Sequence, residues 1–465
     1  PLSSSSAASD VYKRQIMNAA LLSQVYEAMT QFDIERAITL VAGMKKADIA
    51  EVLEHMPAQF SCQLLEHLPR RAKIFAKIDP AYQAKLVHEF SRASLAEIVS
   101  EMPSDKRTDL FKRLDSQEQQ ALLPALAQAQ REDIRRLSTY QEETAGAIMT
   151  SEYVTLNQDM TVAEAMQTIR LQAPDAETIY ESYIIDEKRH LIGVVSLHEL
   201  VLAPLQQLIR ELMNTDVVSA YVDDDQDEVA KKIAHYDLIA LPVIDHQGTL
   251  LGIVTYDDAM DVASEEANED FLKVGGVEAS APSLNIKEAS LFLLYRKRVF
   301  WLVILVFGSL LSGLGISHFE SVIQSNIVLV FFLPLLVGSG GNAGSQSATL
   351  MVRALATGDV VMKDWFKLLG RECLVALGLG ITMAIAVAIL GYIRGDAMVA
   401  LVLILSMIGI VLIGSIIGMS LPFILDKLGL DPASASAPLV TSICDATGVI
   451  IYLFIAAQLL NQVNI

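Results

Sequence analysis

The distribution of apolar residues constrains this chain more than any other feature. Residues 299–460 contain five long apolar runs, whereas residues 1–290 carry charges throughout. A helix needs about 20 residues to cross the apolar core of a bilayer, which is about 30 Å thick. The pattern therefore predicts a soluble part followed by an α-helical membrane domain at 291–465. The five predicted spans are residues 300–317, 322–345, 374–392, 398–422 and 438–460.

The basic residues predict how these spans are oriented. Loops rich in Lys and Arg stay on the cytoplasmic side of a membrane. The cluster Arg296-Lys297-Arg298 directly precedes the first span, and the loop after the second span contains Arg353 and Lys363. Both segments are therefore predicted to be cytoplasmic, together with the soluble part. Five crossings then leave the C-terminus outside the cell.

A single carboxylate, Asp445, lies inside the last apolar run. A charge at the centre of a membrane helix costs about 2.5–3.5 kcal/mol even on insertion scales, so such residues usually face a water-filled path or a counter-ion. No Lys or Arg lies deep in any of the five runs. We therefore favour a cation site at Asp445 over a structural ion pair.

The second predicted span ends in the stretch PLLVGSGGNAGSQSATL, residues 334–350. Glycine weakens a helix, and irregular backbone at membrane depth is tolerated where it lines a cavity. The stretch therefore predicts a broken helix end that could receive a hydrated ion. Close helix packing through small residues is the alternative.

The soluble part begins with a helical region at residues 16–140. Its apolar residues recur at intervals of three and four, and residues 49–57 (IAEVLEHMP) resemble residues 95–103 (LAEIVSEMP) at an offset of 46. Stacked helical repeats bury their faces against one another, so a small α-solenoid is predicted. Residues 5–15 match the translation of a sequencing-library adapter, and we interpret residues 1–15 as an assembly scar and exclude them from fold reasoning.

Two similar α/β segments follow at residues 141–262, about 145–203 and 209–262. Each contains a helix and then a strand–turn–strand unit that ends in an acidic helix start, IGVVSLHEL in the first and LGIVTYDDA in the second. These paired elements resemble a tandem pair of CBS domains. Such pairs commonly sense a small ligand, often an adenine nucleotide, so ATP is a candidate ligand.

The second CBS segment and the linker at 257–290 are strongly acidic. Residues 221–270 contain fourteen Asp and Glu against two Lys. Like charges at helical spacing oppose packing, and carboxylates are the ligands that hard divalent cations prefer. A solvated acidic helix is the alternative. Because the linker joins a sensory pair to a membrane domain, we favour cation sensing.

The segments PLLVGSGGNAGSQSATLMVRALATGD and SAPLVTSICDATGVIIYL resemble the MgtE family of magnesium transporters, and the order of domains matches over nearly the whole chain. The resemblance implies a multidomain protein with an all-α helical-repeat N domain, an α/β tandem CBS pair, an acidic connecting helix and an α-helical transmembrane domain of five spans. It implies a homodimeric, channel-like Mg²⁺ importer of a bacterial inner membrane, with Mg²⁺ as both cargo and regulator.

The resemblance also carries site residues over to this sequence. The implied pore residues are Asp445, Gly338, Gly340, Gly341, Asn342 and Ser345, with Ala437 at the start of the last span. The implied regulatory metal ligands are Asp105, Asp109, Asp225, Asp227, Asp237, Asp258, Asp261, Glu266, Glu269, Asp270 and Asp431. Two positions depart from the family pattern: Lys73 stands where a Glu can occur, and Ala437 where an Asn can occur.

Other functions are disfavoured on chemical grounds. A formal net charge of -20 argues against nucleic acid as a partner, because phosphate binding needs a basic surface. No nucleophile–base motif, HExxH or phosphate loop appears, so an enzyme is not expected. The three cysteines have no CxxC spacing, which fits a reducing compartment. Import of Co²⁺, Zn²⁺ or Ni²⁺, and a membrane Mg²⁺ sensor that transports nothing, remain as alternatives.

Overall fold

The computed structural model describes residues 21–277 and 290–460. The chain divides into two compact units, Pro1–Ala263 and Ser264–Ile465. The predicted scar at 1–15 lies outside the described residues, as do residues 278–289 of the predicted linker.

The N-terminal part of the first unit is all helical. Residues 21–30 are helical, and further helices follow. They are Ile34–Val41, Lys46–Glu54, Ala58–His67, Arg71–Phe75, Pro80–Val87, Arg92–Ser100, Ser104–Arg113, Ser116–Leu122 and Gln128–Leu137, with a 3₁₀ turn at Leu123–Ala125. Pro57 and Pro103 cap two of these helices, and Pro80 occupies the first position of a third. These are places where a proline costs no backbone hydrogen bond.

The predicted repeat is present in the helices themselves. Lys46–Glu54 and Arg92–Ser100 begin and end 46 residues apart, and so do Ala58–His67 and Ser104–Arg113. Their inward faces form one continuous core that includes Leu53, Leu64 and Ile98. The region is therefore an array of helix pairs, each burying its apolar face on the next.

A recurring hydrogen bond closes four helix pairs of this region. The carbonyl groups in the last turn of a helix lack the usual partner four residues on, and here a side chain eight residues further on donates to one of them, beside the backbone N–H three residues on. The four donor–acceptor pairs are Ser61 to Leu53, Gln83 to Phe75, Arg107 to Val99 and Gln119 to Phe111. Ser61 and Arg107 occupy equivalent repeat positions, so different side chains perform the same task.

The CBS pair forms two small sheets of three strands each. The first contains β1 (Tyr153–Leu156), β2 (Thr178–Ile185) and β3 (Leu191–Ser196), and the second contains β4 (Ala220–Tyr221), β5 (Ala240–Ile244) and β6 (Leu250–Thr255). In each sheet the first pairing is parallel and the second antiparallel. The associated helices are Ala145–Ile148, Val162–Gln172, Leu197–Leu202, Ile209–Leu212 and Gln226–His235. The predicted α/β repeat is thus confirmed.

The second unit contains helices long and apolar enough to cross a membrane. Its helices are Leu291–His318, Val328–Ala356, Trp365–Arg394, Ala397–Lys427 and Ala437–Leu460, with a short helix Glu320–Ser325 and 3₁₀ turns Met362–Asp364 and Pro432–Ser434. Within the described residues, five helices are long and apolar enough to span a membrane, which confirms the predicted number. A helix that begins directly after β6, Tyr256–Val274, precedes them and carries the acids of the predicted connecting helix.

The prediction of a broken second span was wrong. The helix Val328–Ala356 continues without interruption through Pro334 and the whole glycine-rich stretch. The break lies earlier, between Ser325 and Val328. The glycines serve packing instead, because they allow the second and fourth membrane helices to approach at backbone distance.

Two pairs of glycines form this backbone contact. A Cβ atom added to Gly414 would lie 2.5 Å from the carbonyl oxygen of Gly340, and one added to Gly418 would overlap the carbonyl oxygen of Gly344. Both pairs have the four-residue spacing of a small-xxx-small interface between helices that run parallel. Neither position on the fourth helix can hold a larger residue without separating the two helices.

Replacing Gly418 by Ala should destabilise the membrane domain by about 1–3 kcal/mol, since a methyl group there overlaps the Gly344 backbone. Gly378→Ala is the matched control, because a Cβ at that position meets nothing within 4 Å. The measurement is thermal loss of the monodisperse size-exclusion peak in detergent. Equal melting temperatures for the two variants would contradict the packing argument.

The recurring carbonyl contact of the N domain can be tested at Gln83, which is 5% exposed and donates to the Phe75 carbonyl. Gln83→Ala removes one of the two donors to that carbonyl, which also accepts the Ile78 N–H at 3.1 Å, and should cost about 0.5–1.5 kcal/mol. Pulse proteolysis in urea would measure the change. Gln63→Ala, on an exposed face, should have almost no effect.

Candidate functional site

Asp445 lies in the first half of the helix Ala437–Leu460, and the residue is half-buried. Thr441 lies one turn earlier on the same face of that helix. Gly341 of the second membrane helix faces both residues: a Cβ added there would lie 3.4 Å from Asp445 Oδ1 and 2.9 Å from Thr441 Cγ2. The absence of a side chain at Gly341 therefore leaves room for the carboxylate.

Oxygen atoms line the turn that precedes Asp445. The hydroxyl oxygens of Ser345 and Thr441 lie 3.0 Å apart, and both hydroxyls lie within hydrogen-bond distance of the Ala437 carbonyl, at 3.3 and 2.8 Å. The predicted residues Ser345 and Ala437 are thus brought to within two turns of Asp445. Thr441 was missed at the sequence level, although its position four residues before Asp445 was a usable signal.

The thiol of Cys444 does not lie on the face of the last helix that carries Asp445 and Thr441. Cys444 is buried, and its thiol points toward the carbonyl of Gly414 at 3.8 Å on the fourth membrane helix. Within residues 21–277 and 290–460, no Lys, Arg or His lies within ion-pair distance of Asp445. The surroundings of the carboxylate therefore offer oxygen donors and no counter-ion, which suits a hard cation.

The predicted pore residues of the glycine-rich stretch lie on three different sides of the second membrane helix. Gly340 is buried against Ile410 of the fourth helix and serves packing. Gly341 and Ser345 face the last helix. Gly338 has open space around it, and Asn342 is exposed, so these two lie on a less buried side of the second helix.

In the first unit, Asp105 and Asp258 are brought together by a lysine. Lys106 Nζ lies 2.9 Å from Asp258 Oδ1 and 3.7 Å from Asp105 Oδ2. Burial, and then the Asp258 carboxylate, raise the pKa of Asp105. Burial also raises the pKa of Asp109, one turn further along the same helix. Although burial opposes it, the carboxylates of Asp258 and Asp105 raise the pKa of Lys106, which keeps its ammonium charged.

A second lysine makes a similar contact in the second unit. Lys273 Nζ lies 2.6 Å from both Glu269 Oε1 and Asp431 Oδ2. Hydrogen bonds to these two carboxylates outweigh burial and raise the pKa of Lys273. Two of the predicted regulatory acids are thus joined at the end of the helix Tyr256–Val274.

The acids predicted within the second CBS domain have local roles. Asp225 caps the helix Gln226–His235, Asp227 pairs with Lys231 at 2.6 Å, and Asp237 is exposed with a left-handed backbone. Further along, Asp261 is exposed, and Glu266 and Asp270 are half-buried. In the described part of the chain, no group of three or more Asp, Glu, His or Cys side chains lies close enough to hold a metal. Regulatory binding at these acids stays a prediction.

Lys73 lies in a basic part of the N domain. It contributes, after burial, to a lowered pKa of Lys46. Nearby, Lys77 Nζ lies 3.6 Å from Asp257 at the start of the connecting helix. Lys73 thus belongs to a basic group of residues in which Lys77 contacts an acid of the connecting helix.

Comparison with family models covers the three parts of the chain. Residues 333–455 match the MgtE model, described as a divalent cation transporter. Residues 44–143 match the MgtE intracellular N domain, and residues 145–205 and 209–265 match the CBS domain.

Two solved structures are similar to the soluble part with TM-scores of 0.50. One, the soluble part of a magnesium transporter, is 32% identical and covers 54% of this chain and 99% of its own. The other, the cytosolic domain of the Mg²⁺ channel MgtE in complex with ATP, is 34% identical and covers 52% and 99%.

Curated relatives match over nearly the full length. The magnesium transporter MgtE of Thermus thermophilus is 37% identical over 96% of this chain and 100% of the relative. The magnesium transporter MgtE of Bacillus subtilis is 30% identical over 91% of this chain and 94% of the relative. With this identity across every domain, the chain belongs to the MgtE family of divalent cation transporters.

Proposed function

We propose that this chain imports Mg²⁺ through its membrane helices and that Asp445 selects the ion. The observation that carries the proposal is a carboxylate in an apolar helix, one turn after the hydroxyl of Thr441, that has no cationic partner among the described residues. Such a group is costly unless a cation or water meets it. The full-length relatives named as magnesium transporters support Mg²⁺ as the ion.

We further propose that two copies of the chain form the pore. The exposed side of the second membrane helix, with Gly338 and Asn342, has no cover within the described part of one chain. Two Asp445 carboxylates facing one axis would give a ring of negative charge of the kind that cation filters use. Mg²⁺ gives up its water reluctantly, so the ion is held largely through its hydration shell.

The membrane potential is sufficient to drive this import. Moving one charge across 100 mV is worth about 2.3 kcal/mol, so a dication gains about 4.6 kcal/mol inward. In this arrangement the soluble domains lie in the cytoplasm of a bacterial cell and the C-terminus lies outside the inner membrane. Nucleotide hydrolysis is not needed.

Cytosolic Mg²⁺ is proposed to inhibit transport by closing the pore. When free Mg²⁺ is low, the acidic faces of the CBS pair, the N domain and the connecting helix repel one another. When Mg²⁺ is high, ions neutralise these faces and the pore closes. Many weak sites acting together give a steep response, because each Mg²⁺ keeps several waters and uses one or two carboxylates.

ATP is proposed as a ligand of the CBS pair. The similar cytosolic domain that was solved in complex with ATP supports this assignment. ATP would then bias the soluble domains toward one arrangement without being hydrolysed.

Experiments distinguish Mg²⁺ import from two other functions. A channel for Co²⁺, Ni²⁺ or Zn²⁺ would carry those ions faster than Mg²⁺, although the oxygen-only face of Asp445 disfavours it. A sensor that transports nothing would fail to restore growth of a Mg²⁺-starved strain that lacks its own uptake systems.

Asp445→Asn should reduce Mg²⁺ uptake at least about tenfold while leaving the protein folded, since the ring of negative charge is lost. Uptake is measured in liposomes with a trapped Mg²⁺ dye and an imposed inward potential. Glu320→Gln, at the start of the short helix Glu320–Ser325, is the control and should transport normally. Normal uptake by the Asp445 variant would remove this residue from the filter.

Asp261→Asn, Glu266→Gln and Asp270→Asn combined, all on the connecting helix, should keep transport active at high internal Mg²⁺. The same liposomes, loaded with increasing Mg²⁺ on the side of the soluble domains, measure the loss of inhibition. If this triple variant closes as the unmodified protein does, inhibition by Mg²⁺ depends on other residues.

A further inference from the structure

We propose that Lys106 and Lys273 are built-in cations that hold both ends of the connecting helix Tyr256–Val274 in place without Mg²⁺. The inference deepens the proposed function and rests on it, because it concerns how the acids of that helix respond to Mg²⁺. It changes the role of four predicted ligands: in this chain, the pairs Asp105–Asp258 and Glu269–Asp431 are bridged by ammonium groups.

The first contact ties the start of the helix to the N domain. Lys106 Nζ lies 2.9 Å from Asp258 Oδ1, and the hydroxyl of Thr255 lies 2.6 Å from Asp258 Oδ2. The Thr255 hydroxyl also lies 2.8 Å from Asp257 Oδ1, and its single proton serves one of the two carboxylates at a time, so Lys106 is the charged donor on which Asp258 depends. The side chains are well covered, with Asp105 6% and Asp258 13% exposed. A buried ion pair that loses one partner leaves an uncompensated charge, so the lysine contact is costly to break.

The second contact ties the last turn of the helix to the loop before the last membrane helix. Lys273 lies four residues after Glu269, the favourable order for a helical ion pair, and reaches Asp431 at the same distance of 2.6 Å. The other oxygen of Asp431 accepts the backbone N–H of Ala433 at 2.8 Å. Both carboxylate oxygens of Asp431 therefore have donors without a metal.

Packing supports the second contact. Val274 packs in a small apolar cluster with Val352, Ala433 and Ala435. Gly276, whose φ is +69°, approaches the ring of Pro438 at the start of the last membrane helix. The lysine bridge therefore lies beside an apolar contact that fixes the same end of the helix.

The two lysine bridges remove the need for Mg²⁺ at these two pairs of carboxylates. An ammonium that already lies between the two carboxylates, at 2.6–3.7 Å from their oxygens, leaves no space for a hydrated dication at the same place. The ends of the helix are therefore held in the absence of Mg²⁺, and regulatory Mg²⁺ acts through the remaining acids. Removing a lysine converts its pair into one that needs a divalent ion.

The test is hydrogen–deuterium exchange of the full chain in lipid nanodiscs, with EDTA or with Mg²⁺. In EDTA, Lys106→Met should speed exchange of the first turn of the connecting helix about tenfold or more, and Lys273→Met should do so at its last turn. Added Mg²⁺ should restore protection in both variants. The unmodified protein should show the same exchange at both ends with and without Mg²⁺.

Two further variants separate charge from general damage. Lys106→Arg keeps the cation and should remain protected in EDTA. Lys112→Met removes a bridge of similar length, 2.7 Å to Glu142, that involves no predicted metal ligand, and should leave the connecting helix unchanged. Peptides from β5 and β6 report in every sample whether the soluble domains are folded.

The proposal is overturned if the unmodified protein exchanges fast at these ends in EDTA and becomes protected only with Mg²⁺. It is equally overturned if the methionine variants exchange like the unmodified protein. Flux from the same preparations distinguishes this failure from failure of the proposed function: absence of Mg²⁺ uptake by the unmodified protein sinks the transport proposal, whereas exchange decides the role of the lysines independently.

Discussion

The backbone contact between the second and fourth membrane helices is the constraint on which the candidate pore depends. Gly340 and Gly344 meet Gly414 and Gly418 at distances that only a missing side chain permits. Without a hydrophobic driving force between helices in lipid, such close packing is a main source of association. This contact fixes the rotation of the second helix, and that rotation turns Gly341 and Ser345 toward the last helix. The position of Asp445 relative to other oxygen atoms is therefore a result of packing elsewhere.

Much of the fold could be predicted from the sequence because its signals are periodic. The five spans follow from length and hydropathy, and the CBS pair follows from two matching strand–turn–strand elements. The 46-residue repeat was visible in two nine-residue segments and reappears as helices of equal length. Patterns of this kind depend on local geometry, which the sequence carries directly.

The remaining features depend on tertiary contacts. The glycine-rich stretch was predicted to break its helix because glycine lowers helix propensity, but close packing against the fourth helix outweighs propensity. The lysine bridges could not be predicted either, since Lys106 and Asp258 are 152 residues apart and Lys273 and Asp431 are 158 apart. Thr441 was within reach of sequence reasoning, because one helical turn separates it from Asp445.

The carbonyl contacts of the N domain have a consequence for how such a domain can vary in length. Each helix pair carries its own closing bond, and Ser61 and Arg107 show that the donor can change while the geometry stays. The bond nevertheless requires a donor eight residues after its acceptor and an apolar face aligned with the next pair. Insertion or loss of one helix would separate the donor from its acceptor and would turn the apolar face away from the next pair. The domain is thus modular in whole helix pairs, and a longer or shorter version would keep its register only by gaining or losing a complete pair.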